Sequence, residues 1–170
     1  MNRGPVFVVL AFAFIFQLVA IPLYRIGVAK PDFVFIVFVY LALVARTSDI
    51  VAPAVLYSLV LDAFSLNPIG SSVFGLLPTV WIVGRTRGSF WAESRTLRWL
   101  VVFPTATLYL FLVGQFVSFF DHSGGASWGL TTVLLSALYT TGLSIVVFEL
   151  LDQERRRLGL QRAGAFIEGR

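Results

Sequence analysis

Residues 30–75 read KPDFVFIVFVYLALVARTSDIVAPAVLYSLVLDAFSLNPIGSSVFG and contain two apolar runs on either side of the short polar break ARTSD. A helix needs about 20 mostly apolar residues to cross a bilayer, with a range of roughly 17–25. The runs at 31–45 and 50–66 approach that length, and the second contains one carboxylate, Asp62. Long apolar runs with brief polar breaks are typical of an integral membrane protein.

The same pattern continues on both sides of this stretch and predicts an all-α integral membrane domain over residues 1–166 with about six transmembrane helices. The predicted helices occupy residues 5–24, 31–45, 50–66, 69–83, 97–120 and 128–151. The first run follows Arg3, as in a signal peptide. It is too long for the apolar core of a signal peptide and has no small-residue cleavage site after it, so we interpret it as a helix.

Composition excludes several classes of protein. Hydrophobic residues make up 58% of the chain and charged residues 13%, whereas soluble domains contain about 25% charged residues. The chain has no cysteine, so disulfides and thiol chemistry are excluded. The net charge of +4 lies in the breaks between apolar runs, which argues against nucleic acid as a partner.

The basic residues predict the orientation of the six helices. If both termini lie on the same side of the membrane, the opposite side carries only Arg25 and Lys30. The side of the termini carries Arg3, Arg46, Arg85, Arg87, Arg95, Arg98, Arg155, Arg156, Arg157 and Arg162. Short loops rich in Arg and Lys stay in the cytoplasm, so both termini are predicted to be cytoplasmic.

Three polar segments complete the layout. Residues 84–98 mix arginines with aromatic residues and suit either a short helix in the headgroup region or a solvated loop. Residues 152–166 form a basic cytoplasmic tail in which Arg155, Arg156 and Arg157 are expected to contact anionic lipid headgroups. Residues 167–170, IEGR, match a protease recognition site of the kind appended to recombinant proteins, and we exclude them from functional reasoning.

No constellation of residues for catalysis or metal binding is evident. The chain has one histidine, His122, which lies in the predicted loop between the fifth and sixth helices. One histidine without any cysteine does not build the usual zinc sites. We therefore expect no catalytic residue, no metal site, no cofactor and no enzymatic activity.

Asp62 lies in the predicted third helix and has two possible roles. A carboxylate in the bilayer costs roughly 2.5–3.5 kcal/mol on insertion scales, so it should find a partner. In a structural role it accepts hydrogen bonds and caps the helix that begins near Gly70, and the candidate hydroxyls are those of Ser58, Ser65, Ser71 and Ser72. In a functional role it contacts a partner or a ligand, and a partner protein would bind a face of small and polar residues, namely Ser58, Asp62, Ser71, Ser72 and Gly75.

The stretch 30–75 also resembles the rod shape-determining protein MreD family. In that family a basic residue, a proline and an acidic or amide residue open the second helix, as Lys30, Pro31 and Asp32 do here. An Asp late in the third helix, here Asp62, is followed within about ten residues by a pair such as Ile69–Gly70. A glycine usually lies three or four positions before that Asp, and Ser58 takes its place here.

The resemblance implies a non-enzymatic part of the bacterial cell-elongation machinery in the inner membrane. Members of this family partner MreC, a single-pass protein, and work with MreB filaments, the RodA glycosyltransferase and a penicillin-binding transpeptidase in peptidoglycan synthesis. They also look like the six-helix substrate-binding subunits of energy-coupling factor vitamin transporters, which supplies an alternative function. The alternative requires a ligand pocket with convergent polar groups, for which the chain offers few candidates.

Overall fold

A computed structural model describes residues 3–20, 30–45, 47–65, 68–86, 95–120 and 129–155. Within these ranges the chain forms six α-helices and no β-strand. The helices are α1 (Arg3–Ala20), α2 (Phe33–Val44), α3 (Thr47–Phe64), α4 (Ser71–Thr86), α5 (Arg95–Phe120) and α6 (Leu130–Arg155). Each helix overlaps one predicted segment, so the prediction of an all-helical fold with six helices is confirmed. The middle of the polar segment 84–98 lies outside the described residues.

α2 is the central helix and contacts each of the other five. Its N-cap is Asp32, whose carboxylate accepts a hydrogen bond from the backbone N–H of Phe35 at 2.9 Å. Every residue from Phe33 to Leu43 is buried. A helix that is apolar on all sides must be surrounded on all sides by apolar groups, and here the other helices surround it.

The helix predicted at residues 31–45 thus lies inside the bundle. α2 has 12 residues and is about 18 Å long, whereas the hydrocarbon core of a bilayer is about 30 Å thick. The segment is therefore a core helix that touches protein on every side. Among the described residues, two helices are long and apolar enough to cross a membrane, through Leu100–Phe120 of α5 and Leu130–Gln153 of α6.

Contacts between helix ends show how the helices are directed. The end of α1 bonds to the start of α2, and the end of α3 bonds to the start of α4. α2 and α6 run parallel. The N–H of Asp32 donates to the Thr140 hydroxyl. Eight residues further along α2 and twelve further along α6, the Tyr40 hydroxyl donates to Asp152. We call the end of the bundle where α2 and α4 begin the upper end, and the opposite end the lower end.

Polar side chains lie inside the bundle and large apolar side chains lie outside it. The buried polar residues of the described ranges are Gln17, Ser58, Asp62, Ser71, Ser72, Thr79, Thr105, Ser136, Thr140 and Ser144. On the outside, Phe12 of α1 is 72% exposed and Phe119 of α5 is 79% exposed. An apolar surface of this extent would cause association in water, whereas in a bilayer it faces acyl chains. The bundle therefore has the surface of a protein that is embedded in lipid.

α4 and α5 approach closely at Gly75, which is buried between them. A Cβ atom added to Gly75 would lie 2.7 Å from Val113 Cγ2, 2.9 Å from Tyr109 Cδ2 and 3.0 Å from the Tyr109 carbonyl oxygen. These distances are too short for van der Waals contact, and one of them is to backbone. Glycine at this position therefore sets the spacing of the two helices, as small residues commonly do in membrane proteins.

We expect Gly75→Ala to lower the free energy of unfolding in mild detergent by about 1–3 kcal/mol, the usual cost of an overpacked core. Gly142→Ala in α6 is the matched control, because an added Cβ there meets nothing within 4 Å. The control should be neutral or stabilise the protein by up to about 1 kcal/mol, since alanine is the better helix former. Unfolding followed by circular dichroism measures both, and equal effects of the two changes would contradict the packing described here.

Candidate functional site

The carboxylate of Asp62, at the end of α3, accepts hydrogen bonds from four donors at the start of α4. Its Oδ2 accepts from the backbone N–H of Gly70 at 2.8 Å and from that of Ser72 at 3.1 Å. Its Oδ1 accepts from the hydroxyl of Ser71 at 3.2 Å and from the hydroxyl of Ser72. Asp62 is 1% exposed. The carboxylate therefore caps α4 from a neighbouring helix inside the bundle.

Local sequence explains how this cap forms. The first N–H groups of a helix have no partner within the helix, and the helix dipole makes that end a favourable place for a negative charge. Gly70 has φ +98°, a conformation that glycine adopts without strain and that turns the chain into α4. Ser65 donates its hydroxyl to the carbonyl of Asp62 at 3.2 Å as α3 ends. The chain thus turns back so that the start of α4 faces Asp62.

A second carboxylate, Asp32, is joined to the first through α5. The Tyr109 side chain lies next to Asp32 and Ser72, and the N–H and hydroxyl of Ser72 donate to Asp62. The Tyr109 ring stacks on Phe35 of α2 at a centroid distance of 4.7 Å. Tyr109 therefore lies between the caps of α2 and α4 and packs against α2 with its ring.

α1 and α6 complete the set of polar contacts at this level. Gln17 accepts a hydrogen bond from the backbone N–H of Phe33 at 2.7 Å. Ser136 and Thr140 of α6 accept from the backbone N–H groups of Lys30 and Asp32, both at 3.3 Å. All six helices thus contribute a polar group near the upper end. We call this set the polar layer; it consists of Gln17, Asp32, Asp62, Ser71, Ser72, Tyr109, Ser136 and Thr140.

The five residues considered for a partner-binding face all lie inside the bundle. Ser58 is 2% exposed, Asp62 1%, Ser71 0% and Ser72 5%, and Gly75 is packed against α5. A helix that docks on the outside of this structure does not touch them. Their burial supports the structural role considered for Asp62, and a partner-binding role for this set stays a prediction. They pack the bundle, because small and polar residues suit close helix contacts within a protein as well as between proteins.

The other residues of the family motif occupy varied positions. Lys30 is exposed and contributes its backbone N–H, Pro31 is buried, and Asp32 and Gly70 take part in the caps of α2 and α4. Arg155 is the last residue of α6. Arg156 and Arg157, as well as His122, lie outside the described residues, so the expected lipid contacts of the tail remain a prediction.

Sequence reasoning missed four members of the polar layer: Gln17, Tyr109, Ser136 and Thr140. Each lies within an apolar run, where a polar side chain must find a hydrogen-bond partner or an aqueous surface. Ser136 and Thr140 are four residues apart, so they share one face of α6. The polar residues within apolar runs and the four-residue spacing were both visible in the sequence. The hydrogen-bond partners were not, because they lie up to 108 residues away along the chain.

The polar layer holds the helices together by hydrogen bonds. The Asp32 carboxylate accepts a hydrogen bond from a backbone N–H group, and the Asp62 carboxylate accepts from backbone N–H groups and hydroxyls. Among the described residues, no group of three or more His, Cys, Asp or Glu is placed to hold a metal ion. Buried carboxylates that are fully hydrogen-bonded hold structure in place, and loss of one partner leaves the other donors unsatisfied.

The lower end has polar contacts of its own. The Tyr40 hydroxyl of α2 donates to Asp152 of α6 at 2.8 Å. Near the end of α4, the Arg85 guanidinium lies 4.7 Å from the centre of the Trp81 ring, and both side chains are exposed. A tryptophan paired with an arginine is typical of the boundary between hydrocarbon and headgroups.

A helical bundle with polar groups inside, an apolar outside and two helices long enough to cross a bilayer defines an α-helical membrane protein. The sequence profile of the rod shape-determining protein MreD matches residues 3–153. The chain therefore belongs to the MreD family, as the resemblance predicted, and membership indicates a membrane protein with a role in rod shape determination. No curated protein and no solved structure matches the chain.

We expect Asp62→Asn to lower the free energy of unfolding by about 1–2 kcal/mol, because one acceptor oxygen becomes an NH2 group that faces donors. Asp62→Leu leaves all four donors unsatisfied and should cost about 3 kcal/mol or more. Both are measured by unfolding in mild detergent, together with the fraction of protein that purifies as a monodisperse species.

The matched control is Asp49→Asn, the same change in the first turn of the same helix, where the carboxylate is half-buried. Its effect should stay within about 1 kcal/mol, the scale of a helix-dipole interaction. If Asp62→Leu folds with the stability of the unsubstituted protein, the cap does not hold α3 and α4 together.

Proposed function

We propose that this chain is a non-enzymatic scaffold of the bacterial cell-elongation machinery. It sits in the inner membrane, binds an MreC-like single-pass protein, and supports peptidoglycan synthesis alongside MreB, RodA and a penicillin-binding transpeptidase. The observation that carries the proposal is the family match over residues 3–153. Because the chain is nearly all membrane helix, recognition takes place within the bilayer or through short connections.

The outside of the bundle is where such a partner binds. The polar layer is engaged in internal hydrogen bonds, so it has little capacity left for another protein. A groove of about 230 Å³ lies between α5 and α6 near the upper end, lined by Phe111, Gly114, Gln115, Ser118, Leu130 and Val133. Gly114 and Ser118 are one turn apart on α5, and small residues at that spacing allow a second helix to approach closely.

Gln115 gives this groove a preference for protein over lipid. Its side chain is exposed within the apolar window Leu100–Phe120, five residues from the upper end of that window, and within the described residues no hydrogen-bond partner reaches it. Acyl chains have no hydrogen-bonding groups, whereas a transmembrane helix with one polar side chain satisfies the amide. A second copy of the same concave groove does not fill it. A single partner helix with a polar residue therefore fits best.

The distribution of charge supports an orientation with both termini in the cytoplasm. Arg85 and Trp81 at the lower end fit a cytoplasmic interface, on the side that carries ten of the twelve basic residues considered above. On this orientation the polar layer and the α5–α6 groove lie toward the outer leaflet, next to the side on which a periplasmic partner resides.

The vitamin-transporter alternative has no specific observation in its favour. A ligand pocket needs convergent polar groups that are available to a ligand. Asp32 and Asp62 are the strongest candidates, and both are engaged in capping α2 and α4. The expected likeness to energy-coupling factor subunits stays a prediction about the fold.

We expect Gln115→Leu to weaken binding of an MreC-like protein from the same organism by about threefold to thirtyfold. This range corresponds to the roughly 0.6–2 kcal/mol measured for interhelical hydrogen bonds in membranes. Ser118→Phe, which fills the groove, should weaken it at least as much. The measurement is co-purification of the two full-length proteins in mild detergent, followed by titration of the labelled partner.

Gly142→Leu on α6 is the control, since that position is exposed and has open space around it. It should leave binding unchanged, and all variants should unfold at the same temperature. Binding that survives Gln115→Leu and Ser118→Phe would place the partner on another face. A protein that instead purifies with a vitamin and an ATPase module would overturn the scaffold proposal itself.

A further inference from the structure

The lipid-facing surface of α5 and α6 is as tall as a bilayer. Exposed apolar side chains run from Leu100 to Phe120 on α5 and from Leu130 to Leu150 on α6. At 1.5 Å per residue each stripe is about 30 Å long, which matches the usual hydrocarbon thickness. This side of the bundle fits an ordinary bilayer.

The lipid-facing surface of α3 and α4 is shorter. On α3 the exposed apolar side chains run from Val51 to Phe64, a length of about 20 Å. On α4 they run from Phe74 to Ile82, about 12 Å, and Arg85 follows directly. Exposed Ile69, just before α4, adds a few residues to that side at the upper end. The two faces therefore differ in apolar height by roughly 10 Å.

Part of the difference lies at the upper end. Gly70, just before α4, is level with Phe116 of α5, because a Cβ on Gly70 would lie 3.9 Å from Phe116 Cζ. α5 continues one more turn to Phe120, which is about 6 Å. Ser136 of α6 accepts a hydrogen bond from the Lys30 N–H, and α6 begins six residues earlier, at Leu130. α6 therefore extends about 9 Å above its contact with Lys30. α5 and α6 thus rise above the level at which α3 ends and α4 begins.

We propose that the α3–α4 face thins the bilayer leaflet at the upper end and gathers phospholipids with short acyl chains along α3 and α4. A leaflet that met the α5–α6 face at full height would place hydrocarbon above the end of α3 and the start of α4 on the other side. Hydrophobic mismatch of this kind is relieved by local thinning. The thinning also brings headgroups and water close to the polar layer, which lowers the cost of keeping two carboxylates there. This proposal does not depend on any protein partner.

Two tryptophan reporters at the upper end test the proposal. The four native tryptophans are replaced by phenylalanine, and the full chain carries either Ile69→Trp on the α3–α4 side or Leu130→Trp on α6. Both positions are exposed, at 72% and 67%, so the changes are compatible with the fold. Leu59→Trp on α3 is a second reporter in case Ile69→Trp does not fold. The proteins are reconstituted into phosphatidylcholine vesicles, and depth is measured by quenching with lipids brominated at different positions of the acyl chain.

If the leaflet is thinned, both reporters lie at the same depth below the headgroups. At Ile69→Trp, short-chain lipids with 14 to 16 carbons should then displace the brominated lipids at least twofold better than lipids with 22 carbons do. At Leu130→Trp the two kinds of lipid should compete equally. A flat leaflet predicts that Ile69→Trp lies about 6–9 Å deeper, with equal chain-length preference at both positions, and that result would overturn the proposal. Absence of quenching at Ile69→Trp would also overturn it, because a second copy of the chain would then cover this face.

Discussion

The carboxylate of Asp62 satisfies the start of α4 from inside the bundle, and the arrangement of the other helices depends on this contact. A helix that begins in the interior of a bundle has free N–H groups and no bulk water to bond them. Asp62 supplies the acceptors from the end of α3, which fixes α4 against α3 at one register. With α4 in that place, Gly75 meets Tyr109, and Tyr109 reaches Asp32 at the start of α2. One carboxylate thus sets the positions of four helices.

The polar layer also explains how a 12-residue helix comes to lie at the centre of a membrane protein. α2 is too short to end in the headgroups on both sides, so its first N–H groups must be satisfied inside the protein. Asp32 and Gln17 bond two of them, while Thr140 and Ser136 bond the N–H groups just before the helix. The cost of this arrangement is that polar groups of six helices must meet at one level. Its consequence is an interior in which these polar groups are bonded to one another.

Much of the fold follows from the sequence, because the bilayer imposes a length on each apolar run. The six runs predict the six helices, and the predicted cap of α4 by Asp62, one of two roles left open, matches the contacts of its carboxylate. The burial of α2 does not follow, since an all-apolar segment reads the same whether lipid or protein surrounds it. Tyr109 and Thr140 were missed because their partners are remote along the chain. Ser58 and Ser71 were considered for a partner-binding face because small polar residues serve interior and interface packing alike.

The central claim is that Asp62 and Ser72 act as one unit that joins α3 to α4, and a double-mutant cycle tests it most directly. The measurement is the free energy of reversible unfolding, in mild detergent, of the unsubstituted protein, Asp62→Asn, Ser72→Ala and the double variant. Because the two side chains share a buried hydrogen bond, the account predicts a coupling energy of about 1 kcal/mol or more. Effects that add to within about 0.3–0.5 kcal/mol would show that the two residues act independently, and would contradict it.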